Sequence, residues 1–245
     1  AAALRAEARR TDERRLLVLT GDRSAGHGAA ERALAAADVP REAVTAVGTD
    51  DGTHFQTISL NATDSLLGTT HEAIVLDCHE ACRPNALGRV VGAVDGGGLL
   101  VLVVPDLDDW PDRRDGFDEY LAVPPATVDS VSGRFRRRLV ATLSEHRGIA
   151  MYDVDAETLR EDGLTRPAPR RPGQALETPA QPAFPRDAYR ACRTQDQVDA
   201  VSVFEALLDG PAAVVVEADR GRGKSSAAGL AAGSLAAEGE DVLVT

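Results

Sequence analysis

A glycine-rich loop that ends in the only lysine of the chain lies between a valine run and an alanine-rich segment. Val214 to Val216 precede the loop, and an alanine-rich segment without proline follows it up to Gly239. A second apolar run, Val242 to Val244, comes next. Valine runs favour strands, and alanine favours helices. This order predicts a strand, a loop, a helix and a second strand, with the loop and the helix N-terminus surrounding phosphate oxygens.

The loop fits the nucleotide-binding pattern G-x-x-x-x-G-K-[ST], except that Ala218 replaces the first glycine. In this pattern the lysine reaches the β- and γ-phosphates, the next hydroxyl faces Mg²⁺, and backbone N–H groups hold phosphate oxygens. A compact ammonium group suits this task better than a planar guanidinium. The predicted site comprises Asp219, Arg220, Gly221, Arg222, Gly223, Lys224, Ser225 and Ser226, with Ser225 as the Mg²⁺ contact. The alternative is a glycine-rich turn without a ligand.

Composition narrows the class of protein. The 245 residues are 43% hydrophobic and 4% aromatic, which is typical of a globular α/β protein, and no apolar run approaches the length of a membrane span. The net charge is −12, so a phosphate-rich partner would have to contact local arginine patches. Three cysteines without a disulfide pattern and the lack of a secretory signal favour a cytoplasmic location. The sequence does not indicate an oligomeric state.

Residues 1–154 alternate apolar runs with helix-forming segments. The clearest runs are Leu16–Thr20, Val44–Val47, Ala73–Leu76 and Leu99–Val104. Continuous apolar runs are typical of strands buried on both faces of a parallel sheet. We therefore predict a Rossmann-like α/β domain, in which the loop GDRSAGHG after the first run is a strand-to-helix turn. Helices are predicted over 61–67 and 84–94, the second ended by the glycines 96–98.

Two clusters in this domain carry side chains with possible chemistry. Asp77, Cys78, His79, Glu80 and Cys82 are metal-ligand types, but C-x₃-C with one histidine lacks the second ligand pair of a structural zinc site. We therefore interpret the cluster as polar residues at the carboxyl end of a strand and not as a metal site.

The run GRFRRRL, residues 133–139, is the densest positive patch of the chain. It would contact RNA phosphates, or it would form a solvated helix face paired with carboxylates, and the sequence favours neither interpretation.

Proline-rich composition over residues 155–185 predicts a linker between the first domain and a second one, residues 186–245. At the start of the second domain, the segment TQDQ, residues 194–197, resembles the entry to a helicase-type ATPase domain. In such domains a T-x-x-Q segment holds the adenine edge, which makes Gln197 the candidate for that contact. The alternative is a solvent-facing glutamine on a helix.

Taken together, the chain resembles the N-terminal half of the tRNA(Met) cytidine acetyltransferase family, TmcA. The resemblance rests on ADRGRGKSS (218–226), TQDQVDAV (194–201) and the run from Ile74 to Val104. It implies a Rossmann-like domain followed by the first part of a P-loop α/β domain of the RecA or helicase type. It also implies an enzyme that uses acetyl-CoA and ATP or GTP with Mg²⁺ to form N(4)-acetylcytidine at the wobble position of tRNA(Met).

The resemblance implies that Arg220 and Arg222 contact phosphate or RNA, and that the acetyl-CoA site lies outside this chain. We expect a fragment that binds nucleotide weakly and neither hydrolyses it nor acetylates RNA. The acidic, arginine-rich composition suggests a salt-loving archaeal source. Two alternatives remain: an RNA helicase without acetyl transfer, and a non-catalytic module whose P-loop is structural.

Overall fold

The computed structural model describes residues 1–48, 54–167, 175–218 and 223–243. No helix among these residues combines the length and the hydropathy that a membrane crossing requires.

The chain divides into two compact units, Ala1–Arg171 and Pro172–Thr245. The helices and strands of the first unit are α1 (Ala2–Thr11), β1 (Arg15–Thr20), α2 (Arg23–Ala36), β2 (Val44–Val47), β3 (Gln56–Ile58), β4 (His71–Asp77), α3 (Pro84–Ala93), β5 (Val94–Val104), α4 (Gly116–Leu121), α5 (Arg134–Glu145), β6 (Ile149–Asp153) and β7 (Thr158–Asp162). A 3₁₀ helix, Leu60–Leu66, connects β3 to β4.

The strands form one sheet in the order β3-β2-β4-β5-β1-β6-β7. Neighbouring strands are parallel except for β7, which runs antiparallel to β6. The prediction of a Rossmann-like parallel α/β domain is confirmed, because the central strands are covered on both faces as this architecture requires.

Both faces of β5 are buried, since successive side chains of a strand point to opposite sides. Leu99, Val101 and Val103 pack into the core that contains Leu34 of α2. The alternate residues of the strand, such as Leu102, pack into the core formed with α3 and α5. This arrangement explains why the strand reads as a continuous apolar run.

The structure differs from the prediction at the ends of several elements. Gly96 to Gly98 lie inside β5 instead of ending α3. Gly98 is required there, because a Cβ at this position would lie 2.7 Å from the carbonyl oxygen of Glu72. The segment predicted as a helix over 61–67 is the 3₁₀ helix.

Strand β7 lies within residues predicted as a linker. Its sequence, TLRED, gives no apolar signal because β7 is the edge strand, where Leu159 is 58% exposed.

The second unit contains α6 (Arg186–Arg190), α7 (Gln195–Phe204) and α8 (Lys224–Ala237). They pack around a core that includes Tyr189, Val201 and Ala231. Helix α7 begins at the predicted cap, where the Thr194 hydroxyl oxygen accepts a hydrogen bond from the Gln197 N–H at 3.3 Å.

The helix predicted after the glycine loop is present, but the described residues of the two predicted flanking strands form no strand. Residues 212–218 and 241–243 carry no strand, and Val244 lies outside the described residues. Val215 is 91% exposed and Leu243 is 87% exposed. A strand requires a neighbouring strand to bond its backbone groups, and none forms in the described part of the second unit.

Candidate functional site

The structure describes five of the predicted site residues: Gln197, Gly223, Lys224, Ser225 and Ser226. Outside the described residues lie Asp219, Arg220, Gly221 and Arg222.

The glycine loop leads into the N-terminus of helix α8, which is suited to bind an anion. Helix α8 starts at Lys224, directly after Gly223, whose φ of 85° lies in the left-handed region that glycine adopts readily. No side chain caps the helix, and its first turn contains no acidic residue. The first N–H groups and the positive end of the helix dipole are therefore suited to hold phosphate oxygens.

Gln197 lies against this helix start. Its side chain is so close to Gly223 that a Cβ at that position would clash with Nε2 of Gln197. The glutamine is 9% exposed, and its Oε1 accepts a hydrogen bond from the Arg193 N–H at 2.7 Å. The alternative of a solvent-facing glutamine is therefore wrong. Two residues predicted from separate motifs, Gln197 and Gly223, meet at one place.

The Lys224 ammonium group donates a hydrogen bond to the carbonyl oxygen of Ala218. The lysine side chain thus folds back over the segment that enters the loop, while Ser225 and Ser226 are exposed.

A pocket of about 140 Å³ lies beside this lysine, and Gln197 and Gly223 also line it. Two acidic residues that the motif did not indicate, Asp196 and Glu217, line the same pocket. Among the described residues of the pocket, the two carboxylates outnumber the ammonium group, and a divalent cation bound with a polyphosphate would offset their charge. No sequence signal other than proximity to the two motifs identifies these carboxylates.

The positive patch on α5 divides into two kinds of arginine. Arg136 is 1% exposed and lies within 3.2 Å of Asp115 and 2.7 Å of Asp118. Arg137 pairs with Asp112 at the surface, at 3.1 Å. Half of the patch is therefore paired with carboxylates, and the exposed Arg134 and Arg138 form no ion pair with a described carboxylate.

A second polar cluster lies at the carboxyl ends of β1 and β4. The buried Asp77 carboxylate contacts His27 Nε2 at 2.9 Å, His79 Nδ1 at 3.0 Å and Arg23 Nε at 2.6 Å. Burial raises the pKa of Asp77, but the hydrogen bonds from His27, His79 and Arg23 outweigh it, so the pKa lies well below the ordinary value. Among the described residues, no group of three or more side chains is placed to hold a metal ion.

Replacing Asp77 with asparagine is expected to lower the free energy of unfolding at pH 7 by about 2 kcal/mol, because a neutral amide cannot form the charge-assisted hydrogen bonds of the carboxylate. A carboxyl with a depressed folded pKa stabilises the fold above its unfolded pKa, and this contribution is lost as the pH falls toward the folded pKa. The difference between Asp77→Asn and wild type should therefore shrink below about pH 4. Urea titrations at several pH values measure it, with the exposed Asp109→Asn as control. A difference that does not change with pH would contradict the prediction.

Two family models match the sequence. The model described as "tRNA(Met) cytidine acetyltransferase TmcA, N-terminal" matches residues 1–154. The model described as "RNA cytidine acetyltransferase NAT10/TcmA, helicase domain" matches residues 215–245, which include the glycine loop and α8.

Curated relatives carry the name tRNA(Met) cytidine acetyltransferase TmcA. The protein of Haloferax volcanii is 57% identical over 251 residues, covering 100% of this chain and 33% of that protein. The protein of Haloarcula marismortui is 56% identical over 245 residues, covering 100% of the chain and 32% of that protein. The protein of Pyrococcus abyssi is 36% identical over 196 residues, covering 75% of this chain and 24% of that protein. The chain thus spans about a third of the length of the relatives that match all of it.

Proposed function

The chain belongs to the family of the tRNA(Met) cytidine acetyltransferase TmcA, and on this premise we propose that it is part of an enzyme that acetylates a cytidine of tRNA(Met). The product is N(4)-acetylcytidine at the wobble position, acetyl-CoA is the acetyl donor, and ATP or GTP is hydrolysed. The acetyl-CoA site belongs to the part of the relatives' length that this chain does not span. The enzyme works in the cytoplasm, where its tRNA substrate is found.

Within this enzyme the chain supplies the nucleotide-binding P-loop. The observation that carries the proposal is the contact between Gln197 and Gly223 at the uncapped start of α8. A glutamine amide can donate to and accept from an adenine edge, and a helix start holds phosphate. An adenine nucleotide needs one group for the base and another for the phosphates, and these two features lie close together in the second unit.

The residues of the loop take separate roles. Lys224 binds the β- and γ-phosphates, and the N–H groups of Gly221 to Lys224 hold phosphate oxygens. The exposed Ser225 hydroxyl contacts Mg²⁺, whose charge offsets the carboxylates of Asp196 and Glu217. Gln197 binds adenine. Asp219, Arg220, Arg222 and Ser226 complete the surroundings of the phosphates.

Nucleotide hydrolysis in this position would drive the rearrangement that presents the cytidine to the acetyl donor. The competing hypothesis is an RNA-dependent ATPase without acetyl transfer, because the P-loop alone serves both functions.

An acetylation assay decides between the two hypotheses. The full-length protein is incubated with tRNA(Met), Mg²⁺-ATP and acetyl-CoA labelled in the acetyl group, and the nucleosides of the tRNA are then separated. We expect label in N(4)-acetylcytidine only when ATP and acetyl-CoA are both present. Hydrolysis of ATP stimulated by RNA, without labelled cytidine, would favour the helicase hypothesis and overturn the proposal.

A further inference from the structure

A pocket of about 360 Å³ lies in the first unit, apart from the P-loop. Three segments line it: the 3₁₀ helix Leu60–Leu66 that follows β3, the start of α3 that follows β4, and α4 in the connection that follows β5. All three leave the carboxyl edge of the sheet. Ligands of open α/β sheets bind in crevices outside this edge.

Two arginines make this pocket positive. Arg83 Nη1 donates to Asn61 Oδ1 at 2.5 Å, and Arg89 Nη1 donates to the Thr63 hydroxyl at 3.1 Å. The ion pairs among the described residues include neither arginine, although the chain as a whole has a net charge of −12. In addition, Nε of Arg83 is buried without a hydrogen-bond partner in the described part of the chain. Arg83 therefore keeps hydrogen-bonding capacity that the described residues do not use.

The start of α3 adds backbone donors to the same pocket. Pro84 occupies the first turn, and no side chain caps the helix. The first N–H groups of this ten-residue helix, which begin at Asn85, have no acceptor within the helix. Guanidinium groups and a helix N-terminus together are the donors that bind a phosphate group.

Aromatic side chains form another part of the pocket lining. Phe117 and Tyr120 of α4 line the pocket, and Tyr120 is 75% exposed. Phe117 is held in place by an edge-to-face contact with Phe135, with ring centroids 5.9 Å apart. An exposed ring beside a phosphate-binding wall matches the two halves of a nucleotide, because any base can stack on an aromatic side chain.

We propose that this pocket binds a nucleoside phosphate, with the phosphate on Arg83, Arg89 and the start of α3, and the base stacked on Tyr120. Asn61 also lines the pocket, and its amide would form a hydrogen bond with a base edge or with the ribose. The ligand is a free mononucleotide or one nucleotide of a single-stranded RNA. The proposal does not depend on the P-loop of the second unit.

Binding is measured in the Lys224→Ala background, so that the P-loop does not contribute. The probes are uridine 5′-monophosphate, uridine, inorganic phosphate and a fluorescein-labelled single-stranded oligouridylate. The variants are Arg83→Gln and Arg89→Gln, with the exposed Arg190→Gln as the matched control of equal charge change. Thermal unfolding, followed by the fluorescence of the only tryptophan, Trp110, verifies that each variant folds.

We expect each pocket arginine variant to bind uridine 5′-monophosphate at least about 10-fold more weakly, since a charge-assisted hydrogen bond is lost. The control should bind as the parent does, and uridine without phosphate should bind more weakly than the monophosphate. Tyr120→Ala, whose exposed side chain the fold does not need, should weaken binding of the monophosphate at least about 5-fold and leave inorganic phosphate unchanged.

Tighter binding of the oligouridylate than of the monophosphate would identify RNA as the source of the nucleotide, and the reverse order would identify a free nucleotide. Either result supports the site. Equal affinities of Arg89→Gln and Arg190→Gln would overturn it, and so would the absence of binding for both probes. An unchanged affinity of Tyr120→Ala for the monophosphate would overturn the assignment of a nucleotide.

Discussion

Replacing Arg136 with alanine is expected to lower the free energy of unfolding of the first unit by about 3–5 kcal/mol. The guanidinium group is 1% exposed and faces two carboxylates, Asp115 and Asp118, that are themselves 6% and 2% exposed. Its removal leaves both negative charges buried without their cation. An uncompensated buried charge costs more than the ion pair itself contributes.

The same arginine joins three parts of the chain. Its Nε donates to the carbonyl oxygen of Trp110 at 3.2 Å, and its Nη2 donates to that of Arg113. Asp115 and Asp118 form the capping box at the start of α4. Arg136 therefore fixes the position of the loop before α4 and of α4 itself against α5.

Arg137, the next residue in the chain, provides the matched control. Its pair with Asp112 is exposed on both sides, so Arg137→Ala should cost less than about 1 kcal/mol. Urea titrations followed by the fluorescence of Trp110, which is 1% exposed, report on the first unit for both variants. Equal midpoints for the two variants would show that the buried cluster contributes no more than a surface pair.

Sequence alone predicts the parts of the fold in which burial is continuous. The runs Leu16–Thr20 and Leu99–Val104 are buried on both faces, and both were predicted as strands. The edge strands β3 and β7 were not predicted, because an edge strand needs no apolar run. The order of the strands also has no sequence signal, since it depends on pairing between distant segments.

The sequence also does not predict which charged residues are buried in the core, for a different reason. In the run RFRRRL, Arg136 has the same chemistry as Arg137, and only the rotation of α5 places the first inside and the second outside. The pattern alone therefore left contact with RNA and pairing with carboxylates equally open.

The candidate site was predicted in part. The motif indicated the loop and the start of α8, and the T-x-x-Q segment indicated Gln197, which the structure brings against Gly223. The strand predicted over Val214–Val216 is not formed, because a valine run forms a strand only where a neighbouring strand exists to pair with it. Asp196 and Glu217 were missed, since their position beside the same pocket as Lys224 depends on how the second unit packs.

Replacing Lys224 with alanine is expected to weaken the binding of Mg²⁺-ATP about 100-fold, because the site loses a charge-assisted contact with the β- and γ-phosphates. The chain contains no other lysine that could substitute for it. Lys224→Arg should restore only part of the affinity, since a planar guanidinium does not reproduce a compact ammonium group. Gln197→Ala should weaken ATP binding and leave the binding of inorganic tripolyphosphate unchanged.

The central claim is that Lys224 and the start of α8 hold the triphosphate of a nucleotide. Its most direct test is the titration of wild type and Lys224→Ala with a fluorescent ATP analogue and Mg²⁺, with the exposed Arg190→Ala in the same unit as the control for a lost cation. We predict an affinity about 100-fold lower for Lys224→Ala and unchanged for Arg190→Ala. Equal affinities of wild type and Lys224→Ala would contradict the claim.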